Sequence, residues 1–160
     1  MIISRARIAG VSNATVDRFV VKVRKSTRVR GIVNVLLTTN KEMKTLNARF
    51  RRKNEPTDVL SFPAEEGSPL AGEIAISLEI AKINANQLGH STIEEVKILI
   101  LHGMLHLASY DHETDRGEMF REEQRLRKEL NLPTGLIERQ STTKPLARRF
   151  SSNPPARLAR

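Results

Sequence analysis

The chain has 160 residues and a mass of 18.0 kDa, the size of one domain able to build its own core. It contains no cysteine, which excludes a disulfide scaffold, a thiolate metal site and a cysteine nucleophile, and at 4% its aromatics are too few for a row of base-stacking platforms. The net charge of +9 is unevenly placed: residues 1–63 hold 14 Lys and Arg against 4 Asp and Glu, residues 64–138 hold 7 against 14, and residues 139–160 hold 6 against none, a layout that suggests a polyanionic partner held by the first third and the tail.

Ile2, Ile3 and Ile8 mark a first strand. Val16, Phe19, Val20 and Val23 recur at i, i+3, i+4 and i+7, the apolar face of a helix that Ser12 or Asn13 can cap. Ile32 to Leu37 is apolar and rich in β-branched residues, which predicts a buried strand. A second helix is expected from Asn40, with Met43, Leu46 and Phe50 on one face. Pro56 interrupts the chain, and Val59, Leu60 and Phe62 continue as a strand ending at Pro63. After a loop with Gly67 and Pro69, the alternation over Gly72 to Ser77 predicts a half-buried strand. Residues 78–88 read as a helix closed by Gly89. Ser91 and Glu94 form a capping box for a helix over about 93–107, apolar on nearly every face and therefore central to the core. A last, heavily charged helix is expected over 114–130, before Pro133.

From Glu138 onward Ser, Thr, Pro and Arg dominate, and too few apolar residues remain to offset the entropy of ordering. The expected organisation is a folded domain over 1–138 and a disordered basic tail over 139–160. The order of elements predicts an α/β (α+β) fold, a single layered domain whose small mixed four-stranded sheet packs with helices. The amino end lacks the apolar core of a secretion signal. The longest apolar run, Val96 to Leu107, is interrupted by Lys97, His102 and His106 and falls short of the roughly 18–20 residues that span a bilayer. A cytosolic protein with no membrane partner is expected, and without a Gly-rich phosphate loop no nucleotide cofactor is.

The chemistry concentrates in His102-Gly103-Met104-Leu105-His106-Leu107-Ala108-Ser109-Tyr110-Asp111-His112. Residues four apart on a helix share a face, so His102 and His106 can bind one Zn²⁺ at about 2.0–2.1 Å. His112 follows after five intervening residues, far enough for the chain to leave the helix, reverse and supply a third ligand. Three protein ligands with an open fourth position describe a catalytic zinc, whereas structural sites are closed by four. Imidazoles on the most apolar helix are costly unless something pairs with them, which favours a metal over chance. The same H-x₃-H-x₅-H spacing occurs in metzincin proteases, so a zinc metallopeptidase is the first alternative. Gly103 speaks against it, because that pattern needs Glu as general base after the first His. Ser109 stands where the reversal favours Gly, and a left-handed turn there costs Ser roughly 1 kcal/mol more than Gly. A second alternative is a non-catalytic RNA-binding factor whose zinc is structural.

Residues 102–112 resemble the signature H-G-x-L-H-L-x-G-Y-D-H of the YbeY family of metal-dependent endoribonucleases and ribosomal RNA maturation factors, with Ser109 in place of Gly. Leu46 to Lys53 followed by Pro56 to Pro63 is similar to that family's L-N-x-x-[aromatic]-R-G-K-x-x-P-T-D-V-L-S-F-P block, with Arg52 in place of Gly. Gly72 to Ser77 resembles its G-D-I-x-I-S strand, with Glu73 for Asp. The three blocks cover roughly residues 30–131. The resemblance implies one zinc held by His102, His106 and His112, and a functional arginine at Arg51, whose role Arg52 could share. It further implies cleavage of single-stranded RNA in ribosomal RNA maturation, including 3′-end processing of the small-subunit RNA, and in ribosome quality control, with the small subunit or its associated factors as partners.

These parts make one mechanism. Zinc lowers the pKa of bound water towards about 7, which serves either attack by water on a phosphodiester or deprotonation of the ribose 2′-OH. The second route needs no Glu at position 103 and suits RNA better than DNA. Arg51 can bind the phosphate through its planar fork and stabilise charge developing in the transition state. Asp111 either orients a ligand imidazole or caps the next helix. Thr57 and Ser61 either belong to the site or serve a turn, and His90, after Gly89, reads as a surface residue.

Overall fold

The computed structural model describes residues 1–111 and 113–134; His112 and the predicted tail over 139–160 lie outside the described residues. Nine elements follow one another: β1 (Ile2–Ser4), α1 (Asn13–Ser26), β2 (Ile32–Thr38), α2 (Asn40–Arg51), β3 (Val59–Pro63), β4 (Leu70–Ser77), α3 (Leu78–Leu88), α4 (Thr92–Leu107) and α5 (Glu118–Glu129). The strands form one sheet in the order β1-β2-β4-β3, with β1, β2 and β4 parallel and β3 antiparallel to β4. This is the mixed four-stranded α/β domain expected from the sequence. Among the described residues no helix is long and apolar enough to cross a membrane.

The sheet separates two apolar cores of unequal size. Val33, Val35, Leu37, Val59, Ile74 and Ile76 face the larger one, against Val16, Phe19, Val20 and Val23 of α1 and the length of α4. Leu60, Phe62 and Ala75 face the other way and pack on Met43 and Phe50 of α2. Strand alternation thus sends neighbours of β3 to opposite sides: Leu60 and Phe62 towards α2, Val59 and Ser61 towards α4. α4 is the axle of the domain. Val96, Ile98, Leu99, Ile100, Leu101, Met104 and Leu105 are all fully buried, each removing apolar surface worth about 1.5–3 kcal/mol before entropy is charged against it.

Local signals place the helix starts. Ser12 accepts from the Thr15 backbone N–H and caps α1, and Ser91 and Glu94 make the reciprocal capping box of α4. Three boundaries depart from expectation. Ile8 lies beyond the short β1 and packs half-buried against the core. β4 begins two residues early and is buried along its last four residues, because it runs between two other strands with helices on both faces. α5 begins at Glu118, after a loop in which the Asp115 carboxylate accepts from the backbone N–H groups of Gly117 and Met119, both at 2.8 Å.

Candidate functional site

His102 and His106 project from the same side of α4, with ring centroids 5.0 Å apart and planes at 73°. His102 is 7% exposed, and the Nε2 atoms of both rings are buried. His112 is the predicted third member and lies outside the described residues. Among the described residues no group of three or more His, Cys, Asp or Glu is gathered as a metal cluster.

The helix that carries the pair is seated without a spacer on the sheet. A Cβ at Gly103 would come within 3.0 Å of Ile74 Cγ2 and 3.1 Å of its Cδ1. Ser61 Oγ, buried on β3, donates to the Gly103 carbonyl at 3.1 Å. The position where a metzincin carries its general base is therefore a tight packing contact, and a side chain there would have to push the Ile74 side chain aside. Ser61 belongs to the support of the histidine helix; the turn role considered for it is not what the structure gives. Thr57 is buried beside Asp58, whose Oδ1 accepts from the Val59 N–H at 2.8 Å, at the entrance to β3.

Arg51 reaches the same end of the domain from the opposite face of the sheet. The last turn of α2 is anchored by Phe50, whose ring meets Phe62 edge to face at 5.4 Å. Arg51 follows it, half-buried, with Nη2 buried and without a hydrogen-bond partner among the described residues. Burial pulls its guanidinium below the usual arginine pKa, and the nearby Glu113 carboxylate acts in the opposite sense. Glu113 follows the histidine motif directly, so the α2 terminus and the segment after α4 meet here. Arg52, the other arginine considered, is exposed and closes α2 in the left-handed conformation at φ 56°. Position 52 is thus where the family pattern has Gly because the backbone turns left-handed, and the side chain there points to solvent.

The second departure from Gly behaves alike. Ser109 has φ 71°, and the Ser109 and Tyr110 N–H groups donate to the carbonyls of His106 and Leu105 at 3.0 and 3.1 Å. That pair of bonds is the Schellman closure of α4, with Ser109 in the position glycine prefers. Asp111 does not cap α5: its Oδ1 accepts from the Glu113 N–H at 3.1 Å, closing a turn after the helix, and the His112 imidazole it was considered to orient lies outside the described residues.

The carboxylate that faces His102 was not singled out from the sequence. Glu123 on α5 lies with Oε1 3.3 Å from His102 Nδ1, and the same oxygen receives Arg127 Nη2 at 3.4 Å. Glu123 and Arg127 are 7% and 1% exposed. The signal was available: Met119, Glu123, Leu126 and Leu130 stand at i, i+4, i+7 and i+11, so an acid interrupts the apolar stripe of α5. His90 also differs from its expected surface position. Its Nε2 lies 2.6 Å from Glu95 Oε2, and both side chains are at most 5% exposed.

The sequence profile described as Endoribonuclease YbeY matches residues 3–131. The endoribonuclease YbeY of Koribacter versatilis is 54% identical over 145 residues, which cover 91% of this chain and 93% of the relative. That of Nautilia profundicola is 51% identical over 109 residues, 67% of this chain and 78% of the relative. That of Solibacter usitatus is 44% identical over 131 residues, 82% and 88%. Among solved structures, the solution structure of TM1509 from Thermotoga maritima is similar at a TM-score of 0.57 and 29% identity, covering 94% of this chain and 100% of that one. With a profile matching most of its length and a near full-length relative above half identity, the chain belongs to the YbeY endoribonuclease family.

Proposed function

We propose that this protein is a zinc-dependent endoribonuclease that cuts single-stranded RNA in ribosomal RNA maturation, with His102, His106 and His112 as metal ligands and Arg51 as the phosphate-binding residue. The observation that carries the reading is the facing pair of imidazoles on the buried helix. Two imidazoles on one tetrahedral zinc, bound at about 2.0–2.1 Å, have ring centres roughly 5 Å apart, and those of His102 and His106 are 5.0 Å apart. The donor set suits zinc: nitrogen ligands only, in a chain without cysteine. When bound, the metal supplies Lewis acidity and a water acidic near neutral pH.

The chain's own residues contribute binding and orientation. Arg51 offers a guanidinium whose buried Nη2 is left to meet an anion, and low local polarity strengthens its attraction for a phosphate. The same fork can stabilise charge that builds on phosphate oxygens in the transition state. Gly103 presents no side chain where a peptidase needs a carboxylate, and that position packs closely on the Ile74 side chain, which disfavours peptide hydrolysis. Cleavage with the 2′-OH as nucleophile fits a site that lacks that base.

The test is cleavage of an end-labelled single-stranded RNA by the wild type and by His106→Ala, both checked for folding. Cleavage by the wild type alone is expected. Equal cleavage by both would refute the site. Failure of both to cut while RNA still binds would favour the binding-factor alternative.

A further inference from the structure

Glu123 and Arg127 are buried charged residues on a helix that the metal motif does not include. An isolated buried carboxylate or guanidinium is costly, so such groups persist where they are paired and useful. Here the pairing is directional. Glu123 Oε1 stands between Arg127 Nη2 at 3.4 Å and His102 Nδ1 at 3.3 Å. Arg127 also donates through Nη1 to the Pro133 carbonyl at 3.4 Å, which ties its fork to the chain after α5.

An imidazole has two ring nitrogens, and the partner of one decides the role of the other. An ionised carboxylate only accepts, so this contact favours the tautomer whose Nδ1–H donates to Glu123 and directs the Nε2 lone pair to a metal. The His102 Nε2 atom is buried on the side shared with His106. A hydrogen-bonded carboxylate behind a ligand histidine fixes ring orientation and raises ligand basicity. Resting on the metal reading above, we infer that Glu123, held by Arg127, is the positioning carboxylate of the zinc site, acting through His102 and touching neither metal nor RNA. α5 is then a working part of the centre, and its docking on α4 sets the affinity for the metal.

The measurement is the zinc dissociation constant of the full chain, by competition with a chromophoric chelator at pH 7.5, together with the melting temperature of the chelator-treated protein. Glu123→Gln keeps the shape and an accepting oxygen but removes the charge; a roughly 10-fold weaker zinc affinity is expected. Glu123→Leu combined with Arg127→Met removes both charges and leaves neither buried unpaired; up to about 100-fold is expected. A purely structural ion pair would lower the metal-free melting temperature and leave zinc affinity unchanged. Wild-type affinity in a folded double variant overturns the inference, and if that variant does not fold, wild-type affinity in Glu123→Gln does so. A wild type that takes up no zinc, or a His106→Ala variant that binds it equally, overturns the metal reading itself and this inference with it.

Discussion

Replacing Ser109 by glycine should stabilise the protein, although it removes a side chain. Ser109 holds φ 71° because α4 ends in a Schellman closure there. A non-glycine residue in that region carries about 1–2 kcal/mol of steric cost. Glycine removes this but brings roughly 0.5–1 kcal/mol of extra freedom to the unfolded chain. The balance leaves about 0.5–1 kcal/mol in favour of Ser109→Gly. For a chain of this size that raises the melting temperature by about 1–4 °C, and with a urea slope of roughly 2 kcal/mol/M it moves the midpoint up by about 0.3–0.5 M. Ser109→Ala is the control, because alanine gains nothing in the left-handed region. Urea titration of the three chelator-treated proteins, followed by circular dichroism, decides the matter. The reasoning fails if glycine leaves the midpoint unmoved, or if alanine raises it as much.

Arg51→Ala should lower kcat/KM for RNA cleavage by about 10²–10³-fold, whereas Arg52→Ala, at an exposed helix end, should change it less than about 3-fold; equal losses in a steady-state assay would contradict the assignment. Gly72→Ala should cost at least about 1–3 kcal/mol, because its Cβ would lie 2.7 Å from the Phe62 carbonyl and 2.5 Å from Leu107 Cδ2; an unchanged melting temperature would contradict the packing described. The Glu94 carboxyl is held below the usual carboxylate pKa, chiefly by the hydrogen bond from the Ser91 backbone N–H. Its contribution is therefore present above the unfolded pKa near 4.5 and lost as pH falls below it. Glu94→Gln should lower stability by roughly 0.3–1 kcal/mol at pH 7, with the gap narrowing in melts as pH falls below 4.5; a gap that is flat with pH would contradict the capping role.

The helices and strands were legible where one force dominated. The apolar period of α1, the capping box of α4 and the glycine closing α3 are local signals, and each helix lies where they point. β4 was harder, since alternation describes a strand with one wet face, and a strand between two neighbours and two helix layers has none. The start of α5 was displaced because Asp115 holds the loop with its side chain, a choice that helix propensity does not encode. Among site residues, the His102–His106 pair follows from helical spacing alone. Glu123 was hidden in a run of charges whose sequence neighbours Arg121, Glu122 and Arg125 face water, and only its place in the apolar stripe sets it apart. His90 reads as a surface residue because its partner Glu95 lies across the helix cap, where sequence distance says little about side-chain approach.

β3 is five residues long, lies at the rim of the sheet and is hydrogen-bonded on one side only. Phe62 bears on the helix that ends in Arg51, and Ser61 holds the helix that carries the histidines. A slip by one residue would exchange those two side chains between faces, so both halves of the site would lose their seat together. The two halves of the site thus share one short ribbon as their common seat, and a change that shifts it reaches both at once.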